Sequence, residues 1–208
     1  LVFNEYYCNA DGSMRKLDVA GVDTGMGLER LAMVAQGKNN IFETDLFTLI
    51  MELLPSGMKE RRKRIISDHS RAIIFLIADG VRPSNKEAGY ILRRLLRRIM
   101  SYQTPSQLQS FIAVVCEYYG IWYPELKKKD ILPVVAEEVE KFGITLRRGL
   151  KELKRQIIID APIAFRLYES FGLPYEVIKD RGGEHAVALT REAFDREFKK
   201  HQEISRAG

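Results

Sequence analysis

The sequence has little with which to build a metal or redox centre. Among 208 residues there are two cysteines, Cys8 and Cys116, far apart and matching no zinc or thiol-redox spacing. Two such cysteines suit a reducing, cytoplasmic setting. Three histidines are scattered along the chain. No zinc or other metal site is therefore expected, and His69, on the apolar side of its helix, reads as structural. No apolar run approaches the roughly 20 residues of a membrane-spanning helix, so no membrane partner is expected. The start, Leu-Val-Phe-Asn-Glu-Tyr-Tyr, lacks an initiating Met, a basic leader and a signal core. It reads as a strand from a longer protein, with further sequence expected upstream. Internal repeats and low-complexity tracts are also missing.

What is present is ordinary globular material. Hydrophobic residues make up 46% and charged residues 29%, enough for one large domain or two small ones with real cores. The 33 Lys and Arg exceed the 28 Asp and Glu by +5. That excess permits a polyanionic partner without requiring one, so the placement of charge matters more than its sum.

The chain opens with a β pattern. Residues 1–8 are rich in aromatic and β-branched residues, and Asn9-Ala10-Asp11-Gly12 carries an Asp-Gly hairpin signal. Short strands are expected near Met14–Leu17 and Val19–Asp23. Apolar residues then recur at helical spacing from Met26 to Gln36, with Gly37 as the stop. No strand is expected after Gly37. Helices are predicted over Glu43–Leu54, Glu60–Ala78, from a capping box at Ser84 and Glu87 to Met100, and over Ser106–Tyr119. Others follow over Ile131–Ile158 with a break near Gly143, Pro162–Ser170 and Thr190–Ser205.

The string Val22-Asp23-Thr24-Gly25-Met26-Gly27-Leu28-Glu29-Arg30 runs from a strand end through two glycines into a helix. Gly25 and Gly27, lacking Cβ atoms, let backbone approach a ligand closely. Arg30 offers a planar donor fork for phosphate or for stacking on a purine. Asp23 can hold a cationic group. An ordinary strand–helix junction with a solvated Arg would also produce this local pattern. It is neither a dinucleotide fingerprint nor a P-loop, since the third glycine and a Gly-Lys-Ser/Thr are missing.

The second informative stretch runs from Ile66-Ser67-Asp68-His69-Ser70-Arg71 through Ala78-Asp79-Gly80-Val81-Arg82-Pro83-Ser84-Asn85 to Gly89-Tyr90-Ile91-Leu92-Arg93-Arg94-Leu95-Leu96-Arg97-Arg98. On a helix Arg93, Arg94, Arg97 and Arg98 share one broad face, opposite Leu92, Leu95, Leu96 and Ile99. No acidic residue on that face balances them. The pattern suits contact with a nucleic-acid backbone, or a solvated face. Asn85, at the mouth of the helix, suits a groove edge or a turn equally. Arg61–Arg64, Lys127–Lys129, and Arg147-Arg148 with Lys151, Lys154 and Arg155 could extend a phosphate track.

Both strings resemble the alanine–tRNA ligase family of class II aminoacyl-tRNA synthetases. Asp23-Thr24-Gly25-Met26-Gly27-Leu28-Glu29-Arg30 is similar to the family's motif 3. The stretch around Asn85 and the arginines looks like the start of its tRNA-recognition domain. The resemblance implies that Val2, Asp23 and Gly25 bind alanine, and that Gly25, Gly27 and Arg30 border ATP. It implies that Asn85 reads the G3·U70 wobble pair of the acceptor stem. The partner of Asn85 in the family is an Asp in Leu-Tyr-Asp-Thr-Tyr-Gly. This chain has Leu167-Tyr168-Glu169-Ser170-Phe171-Gly172, so Glu169 stands in that place with one more methylene. A carboxylate is suited to accept the guanine 2-amino group. The likeness follows family order along the whole chain and is weakest between Ser101 and Ile159.

The expected fold class is therefore α+β, mostly α: the last strands of a class II antiparallel sheet (residues 1–40), then an all-helical tRNA acceptor-stem domain (41–208). The expected function is part of ATP- and Mg²⁺-dependent attachment of alanine to tRNA(Ala), with no DNA partner and a cytoplasmic location. Family motifs 1 and 2 and the zinc-bearing editing domain lie outside this stretch, so the 208 residues are expected to form no adenylate alone. The alternatives are a catalytically inactive synthetase-like RNA-binding module and a helical DNA-binding regulator. The latter would leave everything before Gly37 unexplained.

Overall fold

The structure, a computed structural model, describes residues 2–128 and 130–207. Leu1 of the expected first strand and Lys129 of the expected lysine track lie outside them. The chain divides into two compact units, Leu1–Glu52 and Leu53–Gly208.

The first unit opens with an antiparallel hairpin of β1 (Val2–Cys8) and β2 (Met14–Asp23). The expected Asp-Gly turn closes it. Gly12 takes φ +81°, and Asp11 Oδ1 accepts hydrogen bonds from the Ser13 amide at 2.9 Å and hydroxyl at 2.6 Å. The two strands expected at 14–17 and 19–23 are one. Asn4 pairs with Gly21 and Tyr6 with Lys16, so a two-residue step on β1 faces a five-residue step on β2. The surplus bulges near the expected break, and the ladder resumes beyond it.

Helix α1 (Leu28–Ala35) ends where glycine permits a left-handed turn. Gly37 has φ +61°, its amide donates to Val34 O at 3.1 Å, and the Lys38 amide to Met33 O at 2.9 Å, a Schellman cap. The single helix expected over Glu43–Leu54 is instead a 3₁₀ turn at Ile41–Glu43 and a short α2 (Thr48–Glu52). Thr44 causes the break. Its hydroxyl donates to Ile41 O at 2.6 Å, competing with the helical ladder while its own backbone stays extended.

The second unit is helical: α3 (Glu60–Ala78), α4 (Glu87–Met100), α5 (Pro105–Tyr119), α6 (Glu125–Lys128), α7 (Ile131–Leu153), α8 (Ala161–Phe171), α9 (Tyr175–Gly182), a 3₁₀ turn (Gly183–Ala186) and α10 (Arg191–Ala207). Ile66, Ile73 and Ile77 of α3, Leu92 and Leu96 of α4 and Ile112 of α5 are fully buried, so the core lies where these helices meet. Helix α3 has the expected bounds. Helix α7 runs unbroken through Gly143 and ends before the exposed Ile157 and Ile158. Helix α9 was unforeseen. It is short, begins after Pro174 and ends in two glycines, so its local signals read as a loop.

The capping box expected at Ser84 and Glu87 does not form. Helix α4 begins after Lys86, which makes no side-chain cap, and the Ser84 hydroxyl instead donates to Lys86 O at 3.0 Å. A capping box does open α5, between Thr104 and Gln107.

Candidate functional site

The loop between α3 and α4 is pinned at each step, which positions Asn85. Gly80, at φ +91°, reverses the chain with a second Schellman cap, the Val81 amide donating to Leu76 O at 3.0 Å. Arg82 Nη1 donates to Ile77 O at 3.2 Å and Val81 O at 3.1 Å. The Ser84 amide donates to Gly89 O at 3.1 Å, closing the loop onto α4. Glu87, the first helical residue, sits at φ +48°, in the left-handed region a non-glycine rarely adopts.

Asn85 lies at one edge of a cleft of about 320 Å³, with Tyr90, Arg93, Arg94 and Arg97 of α4 on one side and Tyr168 and Glu169 of α8 on the other. The cleft thus brings together Asn85 and Glu169, the two residues that the resemblance pairs. Gly172 caps α8 at φ +61° and its carbonyl accepts from Arg97 Nη1 at 3.4 Å. Burial pushes the Tyr168 hydroxyl up to about 12, aided by Tyr90, so it stays a neutral donor and acceptor. Glu169 is half exposed and lies 3.4 Å from His201 Nε2 of α10.

The four arginines are not the unbalanced stripe that the helix sequence suggests. Carboxylates from α7 and α9 meet them. Glu138 Oε1 lies 3.4 Å from Arg93 Nε and 3.3 Å from Arg97 Nε. Arg94 makes a two-pronged pair with Glu176, which also holds Arg191 at 3.0 Å. Arg98 stands 3.5 Å from Asp180 and 3.4 Å from His69 Nε2, outside the residues lining the cleft. Burial lowers the Arg97 pKa, with Glu138 opposing, and Arg97 lies over the Phe142 ring at 3.9 Å. Arg93, Arg94 and Arg97 therefore face the cleft while anchored from behind.

Glu138 was missed, although it carried a signal. It falls within the apolar series Val135, Val139, Phe142 and Leu146 of α7, where a carboxylate must find a buried partner. Glu176 and Asp180 gave no such hint, because helix α9 itself was not anticipated. Arg61 of the expected phosphate track pairs with Asp180, Lys127 with Glu117 at 3.3 Å and Arg155 with Glu152 at 3.4 Å.

In the first unit, the glycine-spaced turn follows β2 directly. Val2 and Asp23 are cross-strand partners, so two of the residues expected to hold alanine are neighbours. Gly27 is the N-cap of α1, and Arg30 lies on its first turn. Asp23, Gly25, Gly27 and Arg30 are all exposed. Among the described residues nothing lies within 4 Å of a Cβ built at Gly25, so no internal packing there demands a glycine. No group of three or more His, Cys, Asp or Glu residues able to hold a metal occurs among the described residues. No described helix is long and apolar enough to cross a membrane.

Comparison with known proteins matches residues 1–208 to the family model for class II (A) tRNA synthetases. A protein of Endomicrobium trichonymphae named alanine–tRNA ligase is 37% identical over 99% of this chain and 26% of its own length. One of the same name from Treponema pallidum (strain Nichols) is 37% identical over 100% of the chain and 39% of its own length. Another, from Dehalococcoides mccartyi (strain CBDB1), is 38% identical over 95% and 25%. The chain thus spans well under half the length of these relatives.

Proposed function

The chain belongs to the class II tRNA synthetases, and on that premise we propose that it serves an alanine–tRNA ligase, contributing one wall of the aminoacylation site and the grip on the tRNA acceptor stem. The observation that carries the second part is the shared cleft. Asn85 and Glu169 come from separate elements and line one opening of about 320 Å³, flanked by three arginines. An amide and a carboxylate together can meet both the acceptors and the one donor of a guanine-containing pair in a minor groove, while guanidinium groups attract the backbone.

Residues 1–40 supply the catalytic part and 41–208 the tRNA-binding part. The Val2–Asp23 pair and Gly25 would hold alanine, with the Asp23 carboxylate toward its ammonium. Gly25, Gly27 and Arg30 would border ATP, where the bare Gly25 backbone, the α1 N-terminus and the exposed guanidinium suit a nucleotide's phosphates and purine. ATP supplies the anhydride that activates the alanine carboxylate, and Mg²⁺ would accompany its phosphates. The work of this chain is positioning and charge stabilisation.

Acceptor-stem RNA hairpins carrying G3·U70 or G3·C70 test the reading. The unaltered chain should bind the first more tightly, and Asn85→Ala and Glu169→Ala should each reduce that preference. Equal affinity of the unaltered chain for both hairpins would leave only phosphate attraction and overturn the proposal.

A further inference from the structure

We propose that Arg93 is the positioning residue of Asn85, held in place by the buried Glu138, and that this contact commits the Asn85 amide to donate toward the cleft. The inference rests on the reading of the cleft given above and adds to it the polarity of one reader and the residue that sets it.

An arginine fork only donates, and an asparagine offers one accepting and one donating end. Arg93 Nη1 donates to Asn85 Oδ1. The oxygen is therefore turned toward α4, which leaves the Nδ2 donors for a ligand. The same guanidinium donates through Nη2 to Pro83 O at 3.3 Å, so it grips the loop on both sides of Ser84. Behind it, Glu138 Oε1 lies 3.4 Å from Arg93 Nε. Glu138 is 4% exposed, and its other cation is Arg97 at 3.3 Å. A buried carboxylate between two cations resists movement, because displacing either cation leaves it undercompensated. Arg93 is thus held on one side by the charge of Glu138 on α7, without a hydrogen bond from its Nε, and holds Asn85 through Nη1 on the other.

The consequence is a division of labour. Minor-groove edges present acceptors on every base pair and one donor, the guanine 2-amino group. Glu169 can only accept while ionised, and so suits the amino group. Asn85, with its oxygen occupied, suits an acceptor. Arg93 acts through Asn85 rather than as a phosphate ligand.

Four variants of the chain, Arg93→Ala among them, assayed with the G3·U70 and G3·C70 hairpins across a salt series, test this. Asn85→Asp keeps an oxygen for Arg93 but removes the donors. Arg93→Lys keeps the charge but cannot reach Asn85, Pro83 and Glu138 together. Glu138→Gln keeps the shape while weakening the anchor. Thermal melts by circular dichroism confirm that each variant is folded. Asn85→Asp and Arg93→Lys should each lower the affinity ratio by roughly tenfold, the size of one well-made hydrogen bond, and Glu138→Gln should lower it less. The slope of log Kd against log salt should stay unchanged in Arg93→Lys.

A preference retained in folded Arg93→Lys and Asn85→Asp would overturn the positioning role while leaving the reading of the cleft intact. An Arg93→Ala variant that loses about one unit of salt slope equally on both hairpins, with the ratio preserved, would also overturn it and make Arg93 a phosphate ligand. Equal binding of both hairpins by the unaltered chain would instead overturn the reading of the cleft, and this inference with it.

Discussion

Gly89 and Ser84 are locked together across the loop that carries Asn85. The Ser84 amide donates to Gly89 O at 3.1 Å, and the Ser84 hydroxyl fills the space where a Gly89 side chain would be, 2.2 Å from an ideal Cβ. Arg82 O lies 2.5 Å from the same point. The glycine of the Gly89-Tyr90 string is thus needed for close approach rather than for its backbone angles, and that approach draws the loop onto the first turn of α4.

Gly89→Ala is therefore expected to push the loop away from α4. Since Arg82 O belongs to the backbone, the clash cannot be relieved by a side-chain rotation alone. The cost should be about 1–3 kcal/mol, typical of overpacking, read as a lower urea midpoint. The proposed preference for G3·U70 RNA should fall with it. Unchanged stability would show that the loop yields freely.

Acid should loosen the second unit through Glu176 and Asp180. Burial pushes both carboxyls up, but hydrogen bonds from Arg94 to Glu176, and from Tyr102 and Arg61 to Asp180, outweigh it. Both end below their ordinary values of 4.5 and 3.8. A carboxylate with a lowered folded pKa stabilises fully above its unfolded value, and that contribution is lost as pH falls through the folded one. Denaturant titrations from about pH 7 to about pH 3 should thus show stability falling mainly below the ordinary carboxylate range. Asp180→Asn should lose less over the same interval, though starting lower. An equal loss in both proteins would remove Asp180 from the account.

The two cysteines should differ sharply in reactivity. Cys8 is exposed, whereas burial, with a smaller contribution from Glu117, pushes the Cys116 thiol up to about 11. Because the thiolate is the reacting species, a thiol reagent at about pH 8 should modify one equivalent quickly. Cys8→Ser should abolish that fast phase, and the Cys116 reaction should appear only in denaturant. Fast labelling of Cys8→Ser would show that the α5 packing opens readily.

Lys179 ties the end of α9 to the segment leading into α10. Its ammonium donates to the carbonyls of Ala186 at 2.7 Å, Val187 at 3.0 Å and Leu189 at 2.7 Å. Lys179→Met keeps most of the stem but removes the ammonium from all three carbonyls: Ala186 O keeps the Leu189 amide at 3.2 Å, whereas the carbonyl of the buried Leu189 loses this donor. A loss of about 1–3 kcal/mol is expected, measured by urea denaturation. A change within error would mean that water replaces the ammonium at little cost.

Much of the fold was legible locally, and the failures have physical reasons. Helix α3 was bounded correctly because its apolar spacing is dense and Asp79-Gly80 supplies a cap. The box read at Ser84 and Glu87 fails, while the one at Thr104 and Gln107 forms. Both pairs have suitable chemistry, but Ser84 is already committed to Lys86 and Gly89. Helix α9 was invisible because eight residues between Pro174 and Gly183 owe their helicity to buried Val177 and Ile178, a tertiary contribution.

At the glycine turn and the Asn85 loop, the sequence placed the backbone reversals, at Gly37 and Gly80, because these are local, while the chemistry of both strings stayed open until the resemblance was added. Periodicity likewise assigned the apolar face of α4, where Leu92, Leu96 and Ile99 are buried. Only the tertiary structure decided what the arginines meet. A helix sequence says which way Arg93 and Arg97 point, but not that Glu138 of α7 waits there. Nor could spacing show that Asn85 and Glu169 share a cleft, since that depends on where α4, α7 and α8 cross. Pairing of charges and closure of a site are properties of which faces come together, and those are chosen by burial of the whole core.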